Sequence, residues 1–262
     1  MGTSSFDPPL QDVSDVVLRD GSTMRFRPPQ ARDSVALLEF FRNLSDRSLY
    51  LRFHGHPAID ELLVDPVLEP DWIERGALVG LEGDRIVSLA SYMRLRDAAS
   101  AEVAFAVADE LQGRGIATRM LERLGALANV VGIEEFVAEV MPDNSAMLRV
   151  FAEAGYETSR VTESGTTEVR LRLAPTDVLV SRIDERDHVA VAASLQPFFS
   201  PAGVAVIGAS ARAGSIGGEL FRNILRGEFA GIAYPVNRFG EPVAGVRAYE
   251  SIAEIGEPVD LA

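Results

Sequence analysis

Residues Ala101–Leu121, AEVAFAVADELQGRGIATRML, constrain the fold more than any other segment of this chain. They read as a half-buried strand, a tight turn, and a helix whose first turn is Gln112-Gly113-Arg114-Gly115-Ile116-Ala117. A helix N-terminus leaves about four backbone N–H groups without intrahelical partners and carries roughly half a positive charge. Glycines in that turn let a phosphate reach the amides without meeting a Cβ. The segment therefore predicts a pyrophosphate cradle at the end of a strand.

The flanking elements build a layer around it. Val16–Leu18, Asp20-Gly21 and Met24–Phe26 read as a hairpin or strand entry. Asp33 is expected to cap a helix with Val35, Leu37, Leu38, Phe41 and Leu44 on its apolar face, and a short helix should carry Leu49–Phe53. Residues 55–75 read as loop with one short helix. Ala77–Leu81, the turn Glu82-Gly83-Asp84 and Ile86–Met93 predict an antiparallel hairpin, followed by a strand at Val103–Val107. Ile116, Met120, Leu121, Leu124 and Leu127 recur at helical spacing. A strand at Phe136–Val140, a helix over Asn144–Ala154 ended by Gly155, and a closing strand at Thr167–Leu173 complete the expectation. The fold class is α+β: a mixed sheet flanked by helices.

Beyond Pro175 the pattern changes. Residues 175–196 read as a charged linker, in part helical, and residues 1–15 as a disordered lead. A strand at Val204–Ile207, Gly208-Ala209-Ser210, a helix from about Gly217 to Arg226 and a strand at Ile232–Val236 begin a βαβ unit. A whole nucleotide-binding half needs further strands, so residues 197–262 are expected to be a truncated Rossmann-like α/β segment. The first domain is expected over residues 15–174.

Composition narrows the chemistry. The absence of cysteine excludes disulfides, iron–sulfur clusters and a thiolate nucleophile. A net charge of −14 argues against nucleic-acid binding and favours basic partners. All 25 basic residues are arginine, so the chain offers no lysine side chain of its own to modify. The first residues lack the basic and apolar regions of a signal peptide, and Phe6 stands where a myristoylation motif needs Ser or Thr. No apolar run is long enough for a membrane span, so no membrane partner and a cytoplasmic location are expected.

Gln112-Gly113-Arg114-Gly115-Ile116-Ala117 matches the Q-x-x-G-x-[GA] acyl-CoA motif of the GNAT-type N-acetyltransferases. Asp143-Asn144 and Phe151-Ala152-Glu153-Ala154-Gly155-Tyr156 resemble that family's other cofactor-contacting segment. Within the family, Leu44–Phe53 and Ala101–Phe105 resemble the bacterial protein lysine acetyltransferase group, whose members are often fused to an ADP-forming acyl-CoA synthetase-like region. Val204–Ser210, Gly214–Gly217 and Tyr234-Pro235-Val236-Asn237 are similar to the CoA-binding domain of those synthetases. Arg238 departs from it, where the group usually continues Asn-Pro.

The resemblance implies acetyl-CoA as acyl donor and a protein lysine as acceptor, with acyl-CoA synthetases among the substrates. It implies Glu102 as general base, directly or through a water; the alternative is an edge-strand carboxylate facing solvent. Freeing a lysine amine at pH 7 costs about 4.6 kcal/mol, which a positioned base offsets. The amides of Phe105, Ala106 and Val107 are expected to hold the pantetheine arm, one of them also donating to the thioester oxygen as it becomes an oxyanion. Those of Gln112, Gly113, Arg114, Gly115, Ile116 and Ala117 would grip the pyrophosphate, with the Arg114 guanidinium as a charged partner. Asn144 is either a cofactor ligand or a plain N-cap. Many of these enzymes place a tyrosine acid near Phe151, which has no proton to give; Tyr156 is expected to face the core, leaving the proton source for the thiolate open.

Other features carry less. His54-Gly55-His56 lacks a third metal ligand nearby, Asp184–Asp187 reads as a solvated charge run, and Trp72 as packing. Arg52 either shapes the substrate side or makes a structural ion pair. Gly208–Ser210 and Gly214–Gly217 would offer amides to CoA or a nucleotide. The alternatives to a protein acetyltransferase are a small-molecule amine acetyltransferase and an acyl-CoA-sensing module; a dinucleotide dehydrogenase leaves the first domain without a use.

Overall fold

Strands between Ser14 and Arg172 build a long mixed sheet, and the structure, a computed structural model, describes residues 13–163 and 165–262. The chain divides into two units, Met1–Ala190 and Val191–Ala262. Of the lead read as disordered, residues 1–12 lie outside the described residues, while Ser14 and Asp15 already belong to the first strand.

In the first unit β1 (Ser14–Val17) and β2 (Thr23–Arg27) form the expected hairpin. Next come α1 (Ser34–Asn43), α2 (Asp46–Phe53) and the one-turn α3 (Glu61–Val64). The central hairpin is β3 (Arg75–Glu82) and β4 (Arg85–Arg94), followed by β5 (Ser100–Val107) and α4 (Ile116–Val130). β6 (Glu135–Val140), α5 (Ser145–Glu153), β7 (Glu157–Glu163) and β8 (Thr166–Arg172) complete the sheet, and α6 (Asp177–Phe199) runs on from it. The strand order is β1-β2-β3-β4-β5-β6-β8-β7.

α4 forms because Ile116, Met120, Leu121, Leu124, Leu127 and Ala128 share one face, and all are buried against the sheet. The core gathers Phe26, Phe41, Leu89, Met120, Leu121, Phe136 and Phe151. Asp33 starts α1 without a side-chain cap. Its carboxylate instead pairs with Arg27 (2.5 and 2.9 Å) and accepts from the Gln30 amide at 2.7 Å. The inward face of α1 is Leu37, Phe40 and Phe41, whereas Val35 is 67% exposed, contrary to its expected inward position.

Two expectations are corrected. Thr167–Leu173 does not close the sheet, because β7 pairs along its outer edge over seven residues. Every residue of β7 is exposed, so it lacks the period-two burial that reveals a strand in sequence. Residues 177–199 are one continuous helix, where a charged segment only in part helical was expected. Leu179, Ile183 and Ala190, at helical spacing, pack inward and explain it.

One irregularity of the sheet creates space. β5 and β6 are parallel neighbours only over Ser100–Glu102 against Glu135–Val137. Beyond these rungs β5 stays paired with β4 as far as Val107, and β6 with β8 as far as Val140. Each strand is thus held by its outer neighbour while the inner edges part.

In the second unit β9 (Gly203–Ile207) and β10 (Ile232–Val236) are parallel and joined through α7 (Ile216–Arg226). This is the expected βαβ start. α7 lies against the loop after β9 so closely that a Cβ on Gly217 would meet the Gly208 carbonyl and the Ala209 amide.

Candidate active site

Where β5 and β6 part, a cavity of about 1000 Å³ opens. Val103–Val107 form one wall and Ala138–Val140 the other. Gln112, Gly113 and Gly115–Arg119 close one end, and residues of α2, α5 and α6 complete the lining.

The glycine loop owes its shape to backbone angles. Gly113 (φ +80°) and Gly115 (φ +86°) are left-handed, and a Cβ on either would meet nothing within 4 Å. Gly115 is the N-cap of α4, and Arg119 N reaches Gly115 O at 3.1 Å. The amides of Ile116, Ala117 and Thr118 precede that bond and are the open donors of the first turn. With the positive helix end behind them, they form an anion cradle.

The loop is anchored to α2. Gln112 Nε2 donates to Val107 O (3.1 Å) and Ser48 Oγ (3.2 Å), and Ser48 Oγ donates to Asp109 at 2.6 Å. Asp109 also accepts from the Ser45 amide and hydroxyl, both at 2.8 Å. Burial pushes its pKa up, but the Ser48 and Ser45 hydrogen bonds outweigh this and hold it below the ordinary carboxylate value. Gln112 is therefore a brace whose side chain sets the loop; contrary to expectation its own N–H is not a free donor, because Asp109 O accepts it at 3.4 Å.

Arg114 departs from its expected role. Its guanidinium turns to the β1–β2 turn, where Nε meets Asp20 at 2.7 Å and Nη2 donates to Ser22 Oγ at 2.7 Å. The carboxylate neighbours hold that charge away from the cavity, and Arg114 is not among its lining residues.

Phe105, Ala106 and Val107 line the cavity along the open edge of β5. Phe105 meets Phe151 edge-on, with ring centroids 6.1 Å apart. Phe151 is buried at the cavity wall and carries no acidic proton. Tyr156 turns inward as expected: a Cβ on Gly125 would lie 2.6 Å from its hydroxyl, and burial drives its pKa far upward. Asn144 lines the cavity and also caps α5, accepting from Met147 N at 3.1 Å; its side-chain NH₂ takes no part in that cap.

Glu102 is exposed and stands at the last rung between β5 and β6. It sits at the lip, next to the lining residues Val103 and Ala104. Its charge acts on Arg52 of α2. Burial pulls the Arg52 pKa down to about 10, and the Glu102 charge partly restores it. Arg52 Nη2 lies 3.4 Å from Ser91 Oγ, and Nε is closed to water without a partner.

The sequence reading missed the wall supplied by α6. Arg182, Glu185, Arg186 and Val189 line the cavity. Arg186 pairs with Glu122 of α4 at 2.6 Å and donates to the terminal carbonyls Glu153 O and Ala154 O. Arg119 pairs with Glu122 (3.0 Å) and Asp187 (2.6 Å). The stripe Leu179, Ile183 and Ala190 was the available signal.

His54 lies 3.9 Å from Glu139, whereas the His56 ring is tilted against that of Tyr50 with centroids 5.9 Å apart, so the two imidazoles have different neighbours. No group of three or more potential metal ligands occurs among the described residues. No described helix is long and apolar enough to cross a membrane.

Residues 23–157 match the acetyltransferase (GNAT) domain family, and residues 203–262 match the CoA binding domain family. The chain is 32% identical over 143 residues to acetyltransferase Pat of Mycolicibacterium smegmatis, covering 53% of this chain and 43% of that protein. It is 48% identical over 68 residues to the alpha subunit of acetate–CoA ligase [ADP-forming] II of Pyrococcus furiosus, covering 26% of this chain and 15% of the subunit. The chain thus spans less than half the length of these curated relatives. Among solved structures, the GNAT domain of S. lividans PAT superposes with a TM-score of 0.57 at 36% identity, covering 61% of this chain and 96% of that one.

Proposed function

The chain belongs to the GNAT acetyltransferase family, and from that premise we propose that its first unit transfers acetyl from acetyl-CoA to the ε-amine of lysine in protein substrates. The observation that carries this reading is the parting of β5 and β6 after Glu102–Val137, with the glycine loop at one end of the gap and a carboxylate at the other. A cavity of about 1000 Å³ has room for an extended thioester arm and the end of an acceptor side chain.

The glycine loop and the open amides of Ile116, Ala117 and Thr118 bind the pyrophosphate of the donor. The open edge of Phe105–Val107 holds the pantetheine arm by strand-like hydrogen bonds, a geometry that aligns the thioester without side-chain specificity. The Asn144 NH₂ adds a contact from α5. Glu102, at the lip, takes the proton from the incoming ammonium, directly or through a water, and so generates the nucleophile. The lone pair attacks the thioester carbon and the C–S bond then breaks. CoA leaves as thiolate; a thiol of pKa near 8.5 departs without a strong acid, consistent with phenylalanine at position 151. The similarity to acetyltransferase Pat supports a protein as the acceptor.

For the second unit we propose CoA or a nucleotide as ligand, held at Gly208–Ser210 and Gly214–Gly217. The match to the CoA binding domain family and the close approach of Gly217 to Gly208 support it.

The test is incubation of the protein with labelled acetyl-CoA and a cell lysate, followed by identification of labelled proteins and residues. Label on protein lysines that depends on Glu102 is the expected result. Label confined to small amines would overturn the protein acceptor.

A further inference from the structure

Arg52 spends its charge on nothing direct. Its one described hydrogen bond is the long contact to Ser91 Oγ, it has no described ion pair, and its Nε–H is shut away from water without an acceptor. The guanidinium lies 4.8 Å from the Phe53 ring centroid and lines the cavity. A cation held this way costs free energy, and such groups persist where a ligand completes them.

The sheet register fixes where this cation stands. Ser91 is the cross-strand partner of Ala104, and Met93 that of Glu102. Directly opposed residues and those two apart share a face, so Ser91, Ala104 and Glu102 lie on one side of the sheet. Arg52 therefore sits level with Ala104, one row from Glu102. In the reading of the site above, on which this inference rests, the base acts at position 102 and the pantetheine rail begins at Phe105. The reacting carbonyl must lie between them, at the level of Ala104.

We propose that Arg52 is a further catalytic residue, whose guanidinium donates a hydrogen bond to the thioester carbonyl oxygen and stabilises the oxyanion formed on attack. As the amine nitrogen bonds to the carbonyl carbon, the C=O π pair moves to oxygen beside the guanidinium. Glu102 keeps the proton it took from the ammonium; the oxygen pair returns, the C–S bond breaks with its electrons going to sulfur, and the second amine proton passes to solvent water. Arg52 gives up no proton in this sequence. A fixed donor aimed at developing charge needs no reorganisation, and losing one such donor typically costs about 10²–10³ in rate. A fixed cation opposite the oxyanion also fits a cavity with phenylalanine at position 151, because the intermediate is stabilised without a phenol.

The experiment combines kinetics with isotope-edited infrared spectroscopy of acetyl-CoA labelled with ¹³C at the thioester carbonyl. In the wild-type complex the carbonyl stretch should fall below its value in water. In Arg52→Gln it should return toward that value, with kcat lowered about 100-fold and the KM for acetyl-CoA within about threefold. Arg52→Lys, which keeps the charge and loses the fork, should recover part of both, and it serves if Arg52→Gln does not fold. Millimolar guanidinium should raise kcat of Arg52→Ala. An Arg52-independent carbonyl stretch, or an unchanged kcat in Arg52→Gln, overturns the proposal. An Arg52-dependent stretch in a protein that acetylates no amine would instead overturn the acetyl-transfer reading and leave the polarising role standing.

Discussion

Glu102 on β5 and Val137 on β6 form the last rung between two parallel strands that then part. The position of Glu102 follows from that rung. It is the last residue of β5 held on both sides, and the backbone beyond it is open to a ligand along one edge. A carboxylate there is anchored by the sheet yet exposed to solvent, which suits a group that must exchange protons.

Glu102→Gln keeps the size of the side chain and removes its basicity. Turnover should fall about 10²–10⁴-fold while acetyl-CoA affinity changes little. Initial rates together with equilibrium binding check this, and an unaltered rate would remove Glu102 from the mechanism.

Gly113→Ala and Gly115→Ala each force a Cβ into a left-handed backbone without a steric clash. Each should cost about 1–2 kcal/mol of stability or let the loop relax, and acetyl-CoA binding should weaken about tenfold. Gly83→Ala is the control: its φ is +60° and its surroundings are equally open, but it lies in the β3–β4 turn. Its melting temperature should drop with affinity retained.

Asp109 ties α2 to the loop before α4, and its folded pKa is depressed against the pull of burial by Ser48 and Ser45. A depressed carboxylate contributes stability above its unfolded pKa of about 3.9 and loses it as pH falls through the lower folded value. The stability gap between wild type and Asp109→Asn should be constant from about pH 7 to 5 and close below about pH 4. Urea melts across that range measure it. A gap that widens on acidification would contradict the assignment.

Arg186→Ala removes one of the two cationic partners of the buried Glu122 carboxylate, Arg119 remaining, and the donor to Glu153 O and Ala154 O. A loss of about 2–4 kcal/mol is expected, with faster amide exchange in the first half of α6. Arg182→Ala loses only an exposed pair with Glu185 and should cost less than about 0.5 kcal/mol. Equal effects of the two substitutions would show that the Arg186–Glu122 pair does not dock the helix.

Local chemistry made much of this protein legible in its sequence. The β3–β4 hairpin follows from two largely apolar runs on either side of a glycine turn. The helix after Gly115 follows from its 3.6-residue stripe, and the glycine loop from two positions that need positive φ. These features depend on neighbours within a few residues, and so does the cap of Asn144 on α5. β7 was hidden because an edge strand exposed along its whole length carries no burial pattern. The helix of α6 was masked by its charges, although Leu179, Ile183 and Ala190 marked its inner face.

The sequence by itself determined most of the elements, β7 and the full length of α6 apart, and which loop can cradle an anion, because backbone angles and hydrophobic period are local properties. Only the tertiary structure decided where the sheet parts, that the Arg114 charge goes to Asp20, and that Arg52 stands level with Ala104. Those outcomes are competitions between partners far apart in the chain. Arg114 and Asp20 are 94 residues apart, and Arg52 and Ser91 are 39. Which partner wins is set by strand register and helix docking, which no local window of sequence contains.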